Sequence, residues 1–391
     1  MPEIISTSKT DISYILEATP GVTPATPAFQ RIPTTSGGPQ GGKTTARSEV
    51  IRTDRQTTDL IVVDQNVVGE INYELTYAAY KPWMEALMEG VTVTGTETQT
   101  DIAVVAAART YTSAALADFA LVPVGSYVLI SGFAESANNG LFLVEAASTL
   151  VLTLDAQDAG ALADESAGAS GEISWNHTPN GIETPRSYTI KKEVALTAPA
   201  YLYYRGCMIN TMAWSFTTGE ILKGNFGIIG LTEDPTTSAI AGQSTVDVAS
   251  YALMNSVESL AISSTGLETD IQIEVASVNY DNKITPAKVL GVLGAAQNVP
   301  FTLGCTGDIT LYFEDLTVYT LFDASTQFSL SFKFTDIDGN SVVVYLPACR
   351  FTTVESPIPG KDNFFMINGS YEALRDDTLG FTMGMNTLDA H

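Results

Sequence analysis

The chain has 391 residues, enough for two or three domains, and 45% of them are apolar, so a substantial core can form. It carries 44 Asp and Glu against 19 Lys and Arg, a formal net charge of −25, and such a surface repels nucleic acid phosphates. These values exclude global disorder and a conventional DNA-binding protein with a basic face.

Signals for export, membrane insertion and disulfide bonding are missing from the sequence. The start, Met1–Ser6, has no basic region followed by an apolar one, and no stretch approaches the roughly 18 apolar residues of a membrane helix. Cys207, Cys305 and Cys349 are far apart and form no C-x-x-C pair. We therefore expect buried or half-buried free thiols in a chain that folds in a reducing cytoplasm, with no membrane partner.

A basic segment follows a glycine-rich stretch in the first part of the chain. Residues 36–42 read Ser-Gly-Gly-Pro-Gln-Gly-Gly, which is typical of a flexible lead-in. The basic residues that follow are Lys43, Arg47, Arg52 and Arg55. Two interpretations stay open: a solvated loop, or a mobile arm that docks on an acidic surface of a neighbouring copy and becomes ordered on assembly.

The next segment alternates apolar and polar residues with a period of two. Ile71, Tyr73, Leu75 and Tyr77 would face a core, and the residues between them a solvated or contact face. The polar set is Glu70, Asn72, Glu74 and Thr76.

A short helix is predicted directly after this strand. Pro82 suits the first helical position, and Trp83, Ala86 and Leu87 follow at the spacing of one helix face. The helix should stop at Gly90. We expect an amphipathic helix of two to three turns packed on a sheet.

Residues 91–180 are predicted to form a small β domain inserted into a surface loop, where insertions cost least. This stretch is rich in Asp and Glu and has Arg109 as its only Lys or Arg. Strand candidates are 127–130, 141–144 and 150–154, and an Ala-, Gly- and Ser-rich segment at 159–171 would be the return linker.

The second half repeats the pattern of the first. Residues 69–88 and 307–323 each read as a Gly–acid–Ile strand followed by a short apolar helix. Downstream, Tyr188 corresponds to Phe328, segment 203–207 to segment 345–349, and Gly224-Asn225-Phe226 to Asp362-Asn363-Phe364, each of the last pair opening a final strand. The shared order favours a duplicated module, and the alternative is chance similarity between strands.

Further strands are predicted in the second half. Alternation puts Ile271, Ile273 and Val275 on a buried face, and likewise Phe328, Leu330, Phe332 and Phe334, with Ser329, Ser331 and Lys333 on a wet or contact face. Asp338-Gly339 reads as a tight hairpin turn.

The predicted fold is mainly β, with two tandem sandwich or half-barrel modules, each with a short flanking helix, and an inserted β domain. The first module would comprise 1–90 and 181–233, and the insert 91–180. A linker at 234–248 would lead to the second module at 249–391.

Groups for catalysis or metal binding are sparse. His177 and His391 are the only histidines, and neither is placed for a Ser-His or Cys-His arrangement. Asp336-x-Asp338-Gly339 lacks the glutamate of a calcium loop, so a hairpin turn explains it better. Glu70 with Glu74, and Asp308 with Glu314, resemble carboxylate pairs but fit a solvated or lumen face better on alternating strands. We expect no enzyme, no cofactor and no metal.

Several segments resemble the major tail tube proteins of siphophages. These are Ile12 to Pro27, Glu49 to Leu60, and the strands at 69–75 and 307–313. Asn138-Asn139-Gly140-Leu141-Phe142 is similar to small β modules inserted in such phage proteins.

The resemblance implies a structural role. In this family six tube domains make a ring, their inner sheets fuse into a closed barrel, and rings stack into a hollow conduit; with two domains per chain, three chains would complete a ring. The basic 36–60 segment matches the loop that reaches the adjacent ring. An acidic lumen would let DNA slide during ejection without specific binding. The candidate lumen residues are Glu70, Asn72, Glu74, Asp308 and Thr310.

The same resemblance implies a place in the virion tail after assembly in the host cytoplasm, with tape measure, tail terminator and distal tail proteins as partners besides the chain itself. Three alternatives remain: another virion component such as a terminator, baseplate or decoration protein, a secreted adhesin or surface-layer protein, and a hydrolase with a carboxylate pair. The adhesin would need an export signal, and the hydrolase a convergent set of titratable groups.

Overall fold

The fold is mainly β, as predicted, with 25 strands and two α-helices in the part of the chain that the computed structural model describes. The structure describes residues 6–51, 53–54, 56–115, 117–156, 160–168, 170–181, 185–249, 251–254, 260–263, 273–358 and 360–390. Arg52 and Arg55 of the predicted docking segment, and His391, lie outside these ranges.

The elements follow in chain order. The first are β1 (Thr10–Leu16), β2 (Ala28–Arg31), β3 (Ser36–Arg47), β4 (Leu60–Glu74) and α1 (Tyr77–Met88). Then come β5 (Val93–Gln99), β6 (Ile102–Val105), β7 (Thr110–Ser113), β8 (Tyr127–Ser131), β9 (Gly140–Ala147), β10 (Val151–Leu154) and β11 (Gly171–Pro179). The middle of the chain forms β12 (Tyr188–Val194), β13 (Ala200–Thr217), β14 (Lys223–Gly230), β15 (Thr232–Thr236) and β16 (Ser244–Val246). The remainder forms β17 (Leu260–Ser263), β18 (Ile273–Asp281), β19 (Thr285–Ala287), β20 (Gln297–Val299), β21 (Gly304–Tyr312), α2 (Thr317–Asp323), β22 (Phe328–Thr335), β23 (Ser341–Glu355), β24 (Met366–Ala373) and β25 (Gly384–Leu388).

One sequence of antiparallel pairings occurs twice. In the first part β1, β12, β13, β14, β4 and β3 pair in that order. In the second part β17, β22, β23, β24, β21 and β18 pair in the same order. Irregularities also correspond, since the register shifts between Tyr188 and Ile190 in one part and between Phe328 and Leu330 in the other.

Most of the residues that suggested a repeat take equivalent places. Tyr188 lies opposite Cys207 as Phe328 lies opposite Cys349. The fourth correspondence differs, because Gly224-Asn225-Phe226 fall inside β14 whereas Asp362-Asn363-Phe364 precede β24.

The two parts share one sheet and one core. Strands β13 and β18 pair from Thr211 opposite Asp281 to Thr217 opposite Val275. An inner sheet therefore runs without a break through β3, β4, β14, β13, β18, β21, β24 and β23. A single cluster of buried apolar side chains draws on both parts, including Trp83 of α1 and Phe332 of β22.

Strands β5 to β11 form a smaller body with its own core, in the segment predicted as an insert. Tyr111, Phe119 and Trp175 belong to this second cluster. Strand β11 pairs with β25, and Tyr127 and Leu143 pack with Val343 and Tyr345 of β23 in a third cluster. The predicted strands at 127–130, 141–144 and 150–154 are found as β8, β9 and β10.

The predicted linker at 234–248 contains paired strands. Thr232–Thr236 pairs with β13, and Ser244–Val246 runs parallel to β2. This connection is therefore fixed on the first part of the fold.

The helix after β4 starts earlier than predicted. It begins at Tyr77, so Pro82 lies inside it, and the prediction that Pro82 opens the helix is wrong. Tyr77, Ala79 and Tyr80 are buried, and this packing outweighs the hydrogen bond that Pro82 cannot donate. At the other end Glu89 takes a left-handed conformation, one residue before the predicted stop.

One predicted strand face needs correction, and another is defined more closely. A register shift between Ile273 and Val275 changes the parity of β18, so Ala276, Val278 and Tyr280 are the buried residues. Ile271 lies outside the described residues. On β22 the face predicted as wet or contact is a contact face, because Ser331 and Lys333 are buried.

The Lys333 ammonium sits 4.8 Å from the centre of the Tyr127 ring, so the body formed by β5 to β11 covers that face of β22.

The glycine-rich stretch at 36–42 is strand β3, and the prediction of a flexible lead-in is wrong. Gly37 has a φ of +92°, and a Cβ there would lie 2.1 Å from the Glu70 carbonyl oxygen. A Cβ on Gly69 would similarly lie 2.5 Å from the Gly38 carbonyl oxygen. Glycine is needed because the two backbones approach closely.

The hairpin between β22 and β23 is confirmed. Asp336 accepts hydrogen bonds from the backbone N–H groups of Asp338 and Asn340, both at 2.9 Å, and Gly339 supplies a φ of +89°. The carboxylate of Asp336 therefore stabilises the turn.

Candidate assembly surface

The inner sheet has one face on the core and one face turned away from it, which we call the open face. Alternation assigns residues to these faces, since Ile71, Tyr73, Ile309 and Leu311 are buried in the core. The open face includes Ser36, Gln40, Glu70, Asn72, Glu74, Thr211, Ala213, Ser215, Lys223, Asn225, Ser277, Asn279, Asp281, Thr306, Asp308, Thr310, Arg350, Thr353, Glu355, Asn368, Ser370 and Glu372.

The open face is polar and mostly small, with more acids than bases. It carries six carboxylates and two cationic side chains, Lys223 and Arg350. A groove of about 470 Å³ lies along it, lined among others by Asn72, Glu74, Asn225 and Asn279. The surface is therefore concave across β4, β14, β13 and β18.

Hydrogen bonds tie neighbouring strands together on this face. Asn72 Nδ2 donates to Ser36 Oγ at 3.1 Å, and Ser370 Oγ donates to Asp308 Oδ1 at 2.7 Å. Thr310 Oγ1 donates to Asn368 Oδ1 at 3.2 Å. The short polar side chains are thus held close to the sheet and do not extend from it.

All five residues selected from the sequence as lumen candidates, Glu70, Asn72, Glu74, Asp308 and Thr310, lie on the open face. They come from only two of its eight strands. Sequence reasoning missed the contributions of β13, β14, β18 and β24, although the polar residues of β24 alternate with Ile367, Gly369 and Tyr371.

The sheet has a free edge at each end. Strand β3 pairs with β4 on one side, and no described strand pairs with its other side. Strand β23 pairs with β22 as far as Cys349, and beyond that point its edge on the β22 side is open among the described residues. Unpaired backbone groups along such edges favour association with another chain.

The ends of β3 and β4, residues 43–47 and 60–65, pair with each other beyond the rest of the sheet, and we call these two segments the arm. Lys43 and Arg47 lie exposed on β3, and neither makes an ion pair with a described residue. The opposite strand carries four exposed apolar residues in succession, from Leu60, 59% exposed, to Val63, 47% exposed.

The sequence predicted a docking segment here from its basic residues and the glycine-rich stretch before them, and the resemblance pointed to residues 36–60. Its apolar side was missed, although Leu-Ile-Val-Val is visible in the sequence as a run of four. An exposed run of this kind marks an interaction surface.

Buried titratable groups outside the open face include His177 and the three cysteines. His177 is 3% exposed, its Nδ1 lies 2.9 Å from Asn386 Oδ1, and burial lowers the pKa of its imidazole to about 4. Cys207, Cys305 and Cys349 are buried free thiols, as predicted, and burial raises the pKa of Cys305 to about 12.

Within the described residues no group of three or more His, Cys, Asp or Glu side chains could hold a metal ion. The helices in that part of the chain are too short or too polar to span a membrane.

Comparison with known proteins gives one assignment. No curated protein matches the chain. A family model described as phage tail tube protein matches residues 7–379, which include both parts of the inner sheet and the segment between them. A match of that extent shows that the chain belongs to the phage tail tube protein family, a family of structural virion proteins.

Proposed function

We propose that this chain is the tube subunit of a siphophage tail, that its copies close into rings around the open face, and that the rings stack into a conduit for DNA ejection. The observation that carries the proposal is a concave polar sheet with two free edges and a family membership that already places the protein in a phage tail. Ring closure removes sheet edges, as barrel closure does in general.

The repeated strand pairing supports a duplicated tube module. Each part supplies four strands to the inner sheet in the same order, so one chain is the equivalent of two modules. Three chains would then complete a ring of six modules. With strands about 4.8 Å apart and tilted by about 40°, twenty-four strands enclose a barrel about 50 Å across between backbones.

An acidic lumen is consistent with DNA passage. Phosphates bind where lysine and arginine are concentrated, and the open face has only Lys223 and Arg350 among six carboxylates in its described part. Glu70, Asn72, Glu74, Asp308 and Thr310 would line the channel. DNA would slide past a wall that offers few cationic contacts.

The insert would face outward. It joins the fold through β25 and packs on Val343 and Tyr345, which point away from the core side of β23. That attachment lies on the stretch of β23 that pairs with β22, outside the eight-stranded inner sheet, so the body formed by β5 to β11 would leave the channel clear.

The arm would contact the neighbouring ring, with Lys43, Arg47, Arg52 and Arg55 as candidate contacts. Lys43 and Arg47 are exposed on the arm and lack described ion-pair partners. Tape measure, tail terminator and distal tail proteins would be the further partners, met during assembly in the host cytoplasm.

Electron microscopy of the purified protein tests this proposal. We expect hollow tubes or stacked rings with three chains per ring and an approximate sixfold pattern, measured from averaged end views and from the mass per ring. Six chains per ring would contradict the two-module proposal, and protein that stays monomeric at concentrations of tens of micromolar would contradict the tube itself.

A further inference from the structure

We propose that the seam between neighbouring chains repeats the internal seam between β13 and β18, so that Thr353, Val354 and Glu355 of one copy pair with Gly42, Gly41 and Gln40 of the next. This inference rests on the proposed ring. It names the two strand edges that meet and the register in which they meet.

Strand β23 is the equivalent of β13 in the repeated pairing order. Each first pairs with a strand outside the inner sheet, β12 for β13 and β22 for β23, and then with an inner-sheet strand, β14 or β24. Their register shifts lie between Ile209 and Thr211 and between Phe351 and Thr353. Beyond its shift β13 has β14 on one side and β18 on the other. Beyond its own shift β23 has β24 on one side and an open edge where β18 would lie.

Strand β3 is in turn the equivalent of β18. Gly37 lies opposite Ile71 as Ala276 lies opposite Ile309, and the two isoleucines occupy matching places in the core. Strand β18 has β21 on one side and β13 on the other, whereas β3 has β4 and an open edge. The open edge of β23 therefore corresponds to the β13 side of the internal seam, and the open edge of β3 to its β18 side.

The equivalence of the strands gives the register between copies. The internal pair Thr211 and Asp281 corresponds to Thr353 and Gly42 of neighbouring copies, and the internal pair Ala213 and Asn279 corresponds to Glu355 and Gln40. Glu355 and Gln40 then share the open face, as Ala213 and Asn279 do. The pairing is antiparallel, so it would extend the eight-stranded sheet into the next copy without a break.

The transferred register also gives a place to an exposed apolar residue. Ile358 is 89% exposed in the single chain. Three residues after Glu355, it corresponds to Phe216, which is 6% exposed and packs on Phe332 and Phe334 across the internal seam. Ile358 would be covered by the neighbouring copy at the same point.

Cysteine cross-linking in assembled protein tests the register. In the double variant Gln40→Cys, Glu355→Cys the two Cα atoms would be about 4.5–5.5 Å apart across the seam, within disulfide range. Mild oxidation should give covalent two- and three-chain species on a non-reducing gel. The native cysteines are buried and should not form disulfides under these conditions.

Three controls accompany the experiment. Thr44→Cys with Glu355→Cys shifts the register by four residues, about 13 Å, and should not cross-link. Ala213→Cys with Asn279→Cys tests the internal seam and should close within one chain. Variants with only one of the introduced cysteines should run at the mass of one chain.

The outcomes separate the seam from the function. If the Gln40→Cys, Glu355→Cys variant forms tubes normally but gives no cross-link, the seam is overturned and the tube proposal stands. Cross-linking by the shifted pair with equal yield would also overturn the register. Wild-type protein that forms neither rings nor tubes would refute the proposed function itself.

Discussion

At the scale of single residues, His177 is a buried, neutral imidazole. Its Nδ1–H donates to Asn386 Oδ1, which also accepts from the Tyr127 backbone N–H at 3.1 Å. This arrangement joins β11, β25 and β8, so it links the body formed by β5 to β11 to the second part of the fold. The imidazole acts as a structural donor here.

The depressed pKa of His177 predicts a loss of stability in acid. The pKa falls from 6.5 to about 4 on folding, so its contribution is complete above about pH 6.5 and declines as the pH falls toward 4, by at most about 3 kcal/mol. We expect His177→Phe to remove this part of the pH dependence. Thermal unfolding of both proteins between pH 4 and 7 measures it, and parallel curves would contradict the assignment.

Glu89 predicts the opposite trend. It is 2% exposed at the end of α1, and burial raises the pKa of its carboxyl to about 7. The stability from the neutral carboxyl is present below about pH 4.5 and is lost as the pH rises through 7. Glu89→Gln should therefore stabilise the protein more at pH 8 than at pH 5, by at most about 3 kcal/mol in the difference between those two pH values. Denaturant unfolding at both pH values checks this, and an equal effect at both would refute it.

Gly37 provides a matched test of backbone contact. Gly37 and Gly219 both have positive φ, but a Cβ at Gly37 would meet the Glu70 carbonyl oxygen, and one at Gly219 meets nothing within 4 Å. We expect Gly219→Ala to cost about 1 kcal/mol of unfolding free energy from φ alone, and Gly37→Ala at least twice that. Urea unfolding compares them, and equal losses would mean that β3 can shift away from β4.

At the scale of elements, the arm combines charge with exposed apolar surface. Lys43 and Arg47 lie on β3, while Leu60 to Val63 lie on β4 of the same hairpin. If the arm docks on a neighbouring ring, the apolar residues supply buried area and the basic residues supply orientation toward an acidic partner.

Two arm variants separate these contributions. Ile61→Thr with Val63→Thr should leave a folded subunit whose rings stack poorly, because exposed apolar area is lost and strand propensity is kept. Lys43→Glu with Arg47→Glu should weaken stacking most at low salt, where attraction to an acidic neighbour is least screened. Tube length by negative-stain microscopy measures both, and tubes of normal length from both variants would contradict docking through the arm.

Local elements followed from the sequence wherever one signal dominated. The alternation at Ile71 and Tyr73, the hairpin at Asp338-Gly339 and strands β8 to β10 could be predicted because alternation or turn chemistry is local. The predicted alternation extended to Tyr77, but β4 ends at Glu74 and Tyr77 opens α1. The register shift in β18 could not be predicted, since a bulge leaves little trace in composition. The start of α1 was predicted too late, because the burial of Tyr77, Ala79 and Tyr80 outweighs the preference of proline for the first helical position.

The open face shows the limit of sequence reasoning about sites. Five of its residues could be chosen because the strands containing Glu70 and Asp308 have a strong period of two. The others become visible only when β14, β13, β18 and β24 are placed between or beside those strands, which depends on pairings between residues far apart in sequence. The free edges depend on the same long-range pairings and have no sequence signal of their own.

At the scale of the whole molecule, the distribution of cores predicts how it unfolds. Trp83 and Trp214 belong to the cluster shared by both parts of the inner sheet, and Trp175 belongs to the separate cluster of β5 to β11. One shared core favours a single cooperative transition for the two parts, and a separate core permits another.

Tryptophan variants follow the two cores separately. With Trp83→Phe and Trp214→Phe, the remaining Trp175 reports on the insert, while circular dichroism reports on the whole chain. Tyr111→Ala should lower the Trp175 transition and leave the main transition nearly in place, since Tyr111 is fully buried in the second cluster. A single transition that shifts as one in all these variants would show that the bodies unfold together.

The pairing of β13 with β18 inside one polypeptide also bears on how fast a ring can form. A covalent tether holds those two edges at an effective concentration of about millimolar or more, so this contact closes during folding and needs no encounter between molecules. With three chains per ring, half of the six contacts would be complete before any collision. Tube nucleation would then be a third-order event and not a sixth-order one, and it would proceed at much lower subunit concentrations.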